Sequence, residues 1–152
     1  MEHVLLPSHQ NQMNMISVLS TTNKYILQSS LIDMHKQSID WQSAAELWKC
    51  EIKFFQKLLD SRSSSFQFEE DKKKISHFQS LITYYGGEVI DTLASKLRKH
   101  EASLAHILKN NDESDNSYFN EHKGLIDELT QFSMQFDKLK YELLCFMEPA
   151  LN

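Results

Sequence analysis

The sequence predicts an all-α protein, an elongated antiparallel three-helix bundle of coiled-coil type, and three observations carry that expectation. Pro7 and Pro149 are the only prolines, so every residue between them keeps the backbone amide that helical hydrogen bonding needs. Trp41, Ala45, Trp48, Ile52, Phe55 and Leu59 recur at alternating intervals of four and three, the spacing that lines side chains along one helix face. Valine occurs only at Val4, Val18 and Val89, and glycine only three times, so the β-branched runs and turn punctuation of a sheet protein are missing.

The 152 residues, 41% hydrophobic, suit one domain with a core of its own. A formal net charge of −5 has the wrong sign for a general phosphate-binding surface, so nucleic acid is not the expected partner. The basic run Lys72 to Lys74 follows Glu69, Glu70 and Asp71, and Glu69 with Lys73 and Glu70 with Lys74 read as helix-spaced pairs on a solvated face. No apolar run approaches the ~20 residues of a membrane span, and the first residues lack the basic, apolar and cleavage regions of a secretory signal. A cytoplasmic protein without membrane contact is expected. Cys50 and Cys145 are too isolated for a disulfide framework or a zinc knuckle, and both fall off the apolar seams, so they read as free surface thiols.

Residues 1–22 are rich in Ser, Thr, Asn, Gln and Met and nearly free of charge. They are expected to form a polar tail or short appended helix, with Met13, Ile16 and Leu19 as an apolar cluster, ahead of a single bundle domain over 23–148. Counting heptads back from Trp41 puts Ser38, Met34, Leu31 and Leu27 on the same face. Helix one is therefore expected from about residue 23, after the cap-forming Thr21, Thr22 and Asn23, to about residue 60, or from nearer Asp33 if that extension frays. It carries a second apolar row, Ala44, Leu47, Phe54 and Leu58.

Asp60 to Ser65, with four serines, reads as the first turn, and Ser64 with Gln67 has capping-box spacing. Ile75, Phe78, Ile82, Tyr85, Val89, Leu93, Leu97, His100, Leu104 and Ile107 then mark helix two, about 43 residues and ~65 Å long. Gly86 and Gly87 each cost about 1 kcal/mol relative to alanine in a helix. The pair implies a bend, a close approach of another helix, or a break that would make four helices. Because the apolar stripe crosses it in phase, a continuous or bent helix is favoured. Val89, Leu93 and Leu97, spaced by four and four, form a stutter that locally unwinds a left-handed supercoil.

Asn110 to Asn116 is polar, acidic and rich in capping residues, the mark of a second turn. Helix three follows, with His122, Leu125, Leu129, Phe132, Phe136, Leu139, Leu143 and Phe146 on its seam, until Pro149 stops it. Short connections between long helices force antiparallel neighbours, hence an up-down-up bundle.

The chain contains no phosphate loop, dinucleotide glycine fingerprint, nucleophile elbow, HExxH pair or EF-hand loop, so neither an enzyme nor a cofactor is expected. The polar seam residues are the place to look, because a core imidazole must find a hydrogen-bond partner or a metal. His100 and His122 lie on seams, and Glu101, His106 and Glu121 fall at the same end of the bundle. His100, Glu101 and His122 are weak candidates for metal ligation, since bundle metal centres draw on a Glu-x-x-His motif that this chain lacks. With helix two ending near Asn110 and helix three starting near Ser117, the two imidazoles would also be offset by about 7 Å of rise. Satisfied or partly exposed bundle-end histidines are the preferred reading. Trp41, Trp48, Phe55, Tyr85, Phe132 and Phe136 read as core filling rather than a binding box, and His77 as solvent-facing.

Trp48 to Phe55, with His77 and Phe78, His100 and Glu101, and Glu121 and His122, resembles a set of short uncharacterised bacterial proteins that look like antiparallel coiled coils. The resemblance covers about residues 40–148 and implies a fold but no activity or ligand. The topology is similar also to a spectrin-type repeat, an analogy of fold alone. The expected function is a structural or interaction protein that binds a protein partner or forms a homodimer. The alternative is a metal- or small-molecule-binding bundle of the ferritin-like or hemerythrin-like sort.

Overall fold

The computed structural model describes residues 24–110 and 116–151. The expected N-terminal tail, the seam position of the Leu27 side chain and the middle of the second turn lie outside the described residues. In order, the elements are α1 (Lys24–Arg62), a 3-10 turn (Ser63–Ser65), α2 (Glu69–Tyr84), a π-helical turn (Tyr85–Val89), α3 (Ile90–Asn110), α4 (Ser117–Met147) and a closing 3-10 turn (Glu148–Leu151). The described residues contain no strand. Tyr84, Tyr85 and Ile90 all keep right-handed helical dihedrals, so α2, the π turn and α3 form one continuous rod. Three rods result, as expected.

Cross-rod contacts establish their directions. His35 of α1 meets Glu101 of α3 at 2.7 Å, and Lys49 reaches Asp91, so α1 and α3 are antiparallel. Lys96 bonds Glu128 at 2.6 Å and Phe78 packs on Phe146, so the second rod also runs against α4. Trp48 packs on Phe132 and Glu51 pairs with Lys140, which makes α1 and α4 parallel. The bundle is therefore up-down-up.

Its main core is built from the predicted seams. Trp48 lies edge-on to Phe132 with ring centroids 4.7 Å apart, Phe132 stacks on Phe136, and Tyr85 stands edge-on to both. Phe55, Leu59, Ile82, Leu97, Leu139 and Leu143 close the same core, and Trp41 is packed against it. A second, smaller cluster of Leu31, Met34, Leu104 and Tyr118 lies toward the start of α1. Ser38, His100 and His122 are fully buried.

The stutter takes a specific form. A π turn, bonded from residue i to i+5, holds one residue more than an α turn and so rotates the seam beyond it by about one position. Ile90, not Val89, is consequently the fully buried residue, and Ala94 joins Leu93 in the core. Of the three explanations for the paired glycines, close approach is the one realised at Gly86. A Cβ there would lie 2.7 Å from Ile52 Cγ2, whereas at Gly87 it would meet nothing within 4 Å.

The first turn departs from expectation. Ser64 and Gln67 do not cap a helix, because Ser63–Ser65 winds into a 3-10 turn prolonging α1, and α2 starts at Glu69 with Phe68 as an N-cap that makes no side-chain hydrogen bond. Glu69, Glu70 and Asp71 occupy the first turn of α2, where carboxylates interact favourably with the helix dipole. The ion pair on this face joins Lys72 to Glu69 at 3.6 Å, one residue short of the expected spacing. Cys50 and Cys145 are free and exposed, and His77 faces solvent.

Candidate functional site

The polar seam positions come together in one layer. Ser38 lies three residues before Trp41, His100 three after Leu97 and His122 three before Leu125, so the same heptads that bury the apolar side chains carry these three inward. The expected 7 Å offset between the histidines is absent, because the rod ends are not level. α3 projects past the start of α4, and Leu104 and Tyr118 share the end cluster. The imidazoles therefore meet at the same height and, at 0% exposure, are buried rather than partly exposed.

They form a hydrogen-bonded chain across all three rods. His100 Nδ1 lies 2.6 Å from Glu121 Oε1, His100 Nε2 lies 2.8 Å from His122 Nδ1, and His122 Nε2 lies 2.6 Å from Gln37 Oε1. Gln37 presents a carbonyl oxygen, so His122 Nε2 donates to it, and at the other end His100 Nδ1 donates to the Glu121 carboxylate. Between the rings, His100 Nε2 and His122 Nδ1 share a single proton.

Aromatic rings seal the layer. Tyr118 stacks on His100 at 4.2 Å with an interplanar angle of 3°, and Trp41 lies over His122 at 4.7 Å. Burial, and secondarily the charge of His100, push the His122 imidazole down from its ordinary 6.5 to about 3. Burial likewise holds the Tyr118 phenol far above its ordinary value, with the Glu101 and Glu121 carboxylates adding to the shift and the Ser38 hydroxyl opposing it. Ser38 Oγ and Tyr118 OH neighbour each other without reaching full hydrogen-bond geometry, and Glu101 Oε1 is buried without a hydrogen-bond partner among the described protein groups.

Of the five residues that the sequence placed at this end, His100, His122 and Glu121 are joined directly. Glu101 turns instead to His35, and His106, almost two turns beyond His100, is exposed. Gln37, His35 and Tyr118 were missed. Continuing the α4 seam back by four from His122 reaches Tyr118, a signal that was available. Gln37 and His35 flank the seam, and no periodicity marks them.

Comparison with known protein families, with curated proteins and with solved structures finds no match to this chain. The geometry must therefore carry the functional reading alone. Two imidazole nitrogens bound to one ion, each at about 2.0–2.1 Å and at a tetrahedral angle, are roughly 3.4 Å apart. The 2.8 Å separation here is that of a direct hydrogen bond, and no group of three His, Cys, Asp or Glu side chains among the described residues is arranged to hold a metal. The double substitution His100→Gln and His122→Gln is expected to leave the metal content of purified protein unchanged when measured by elemental mass spectrometry. Stoichiometric metal that disappears in the variant would make the pair a ligand set.

The described surface offers shallow grooves between the rods. One of about 330 Å³ lies beside the π turn, between Tyr84, Glu88 and Thr92 on one rod and Glu128, Gln131 and Phe132 on α4. Glu128 is already engaged by Lys96. No helix among the described residues is long and apolar enough to cross a membrane.

Proposed function

We propose that this chain is a non-catalytic interaction module in which the outward face of α1 pairs with a second copy of the protein. One observation carries the reading, a row of large apolar side chains on the solvent side of α1. Ile32, Ile39, Leu47 and Phe54 are 56%, 45%, 60% and 58% exposed. Spaced by seven, eight and seven, they fall within an arc of about 80° opposite the core seam and extend over ~33 Å. Singly exposed residues such as Phe68 and Leu108 need no explanation, whereas four large apolar side chains on one helix face do. Of the second apolar row expected from the sequence, Ala44 and Leu58 pack against the core, and Leu47 and Phe54 belong to this outer face.

The row is symmetric along the chain. Ile32 and Phe54, and likewise Ile39 and Leu47, are equidistant from Ser43. Two α1 helices crossing antiparallel at the small Ser43 would set each apolar side chain against one from the other copy, the self-complementarity a two-fold interface requires. On this reading the chain performs no reaction and needs no cofactor, and its two exposed thiols accord with a reducing cytoplasm.

Light scattering across a concentration series tests the pairing. The full-length protein is expected to be a dimer, Leu47→Glu with Phe54→Glu a monomer of unchanged helicity, and a chain lacking residues 1–22 still a dimer. A strictly monomeric full-length protein at high concentration would overturn self-association. Loss of the dimer on deletion alone would move the interface to the tail.

A further inference from the structure

The buried histidine pair divides the bundle into two parts. On one side lies the main core around Trp48, Phe132 and Phe136, and on the other the four-residue cluster of Leu31, Met34, Leu104 and Tyr118. The smaller cluster holds the start of α1, the end of α3 and the first turn of α4, and its link to the rest runs through Ser38, His100 and His122. Local opening is easiest where few apolar contacts hold an element.

We propose that the His100–His122 layer is an acid-operated release, which opens this end of the bundle and exposes its apolar cluster while the main core stays folded. The reason is a limit on protons. Four ring nitrogens can carry four protons when the rings are apart, but His100 Nε2 and His122 Nδ1, 2.8 Å apart, share a single one. The closed pair therefore holds three protons and one positive charge at most. The open pair holds four and two, so acid favours opening by mass action.

The same limit agrees with the environment of His122, whose imidazole is pushed down to about 3 in the closed layer against 6.5 in water. Above 6.5 the His122 ring is neutral in both forms and contributes no acid-driven opening. As the pH falls from 6.5 toward 3, only the open form takes up the proton, and the opening constant rises by up to about tenfold per pH unit.

Other titratable groups reach the layer from every rod. From α1, His35, 47% exposed, contacts Glu101 of α3 at 2.7 Å. From α4, the Glu121 carboxylate accepts from His100 at 2.6 Å. The Tyr118 phenol, held above its ordinary value, stays neutral throughout.

Hydrogen exchange of the full chain, corrected for intrinsic rates, tests the proposal. Between pH 6.5 and 5.0, amides in residues 31–38, 100–107 and 118–122 should show opening increased by up to about 15-fold, while residues 48–59, 90–97 and 129–143 stay protected. His122→Gln, which keeps a donor and an acceptor but binds no proton, should flatten that response. An end that opens no more at pH 5.0, one that opens only together with the main core, or an undiminished response in His122→Gln would overturn the proposal. Should that variant not fold, Trp48→Phe leaves Trp41, stacked on His122, as the sole tryptophan. A red shift of its emission over the same range supports release, and constant emission refutes it.

Discussion

Trp48→Ala is expected to lower folding stability by about 3–5 kcal/mol, read as a fall in the urea midpoint at constant slope. The indole is 8% exposed and lies against Phe132 and Phe136 at centroid distances of 4.7 and 6.5 Å, so it joins α1 to α4 at the centre of the main core. Removing it loses the transfer energy of the largest side chain and leaves a cavity that stacked neighbours cannot fill without breaking their own contacts. Cys50→Ser, two residues along the same helix but exposed, should stay within about 0.5 kcal/mol of the parent. Equal shifts for the two substitutions would mean that the heptad phase of α1 is wrong.

Alanine at the paired glycines is expected to give effects of opposite sign. At Gly86 the new methyl would lie 2.7 Å from Ile52 Cγ2, a branched group close to the α1 backbone that cannot swing aside, so Gly86→Ala should destabilise by about 1–3 kcal/mol through overpacking. At Gly87 the methyl meets nothing, and neither glycine has a positive φ that alanine would strain. Gly87→Ala should therefore stabilise, by up to about 1 kcal/mol, from the lower conformational entropy of the unfolded chain. Thermal unfolding of both variants checks the contrast, and a stabilising Gly86→Ala would exclude the close approach of α1.

Much of the architecture was legible because it depends on local periodicity. Leu31, Met34, Ser38, Ala45, Trp48, Ile52, Phe55 and Leu59 are all buried as the four-three count required, and so are Phe132, Phe136, Leu139 and Leu143 on α4. A seam is a property of one helix, and its period survives in the sequence whatever packs against it. Where a local rule failed, another local interaction had displaced it. Ser64 lost its expected cap when the serine run joined the 3-10 turn after α1, and Val89 yielded the core to Ile90 when the π turn added a residue.

Composition and spacing by themselves determined that the chain is helical, that its helices form an up-down-up bundle of three rods, and that imidazoles occupy two seam positions, since each of these follows from residues within a few turns of one another. Only the tertiary structure decided that His100 and His122 touch, that Gln37 and Glu121 complete their chain, and that Glu101 turns away to His35. The physical reason is axial register. How far α3 slides past α4 is determined jointly by side chains distant in sequence, among them Leu104, Tyr118 and the Gly86 contact with Ile52. A shift of one helical turn, ~5.4 Å, would leave every heptad intact and separate every bond in the layer.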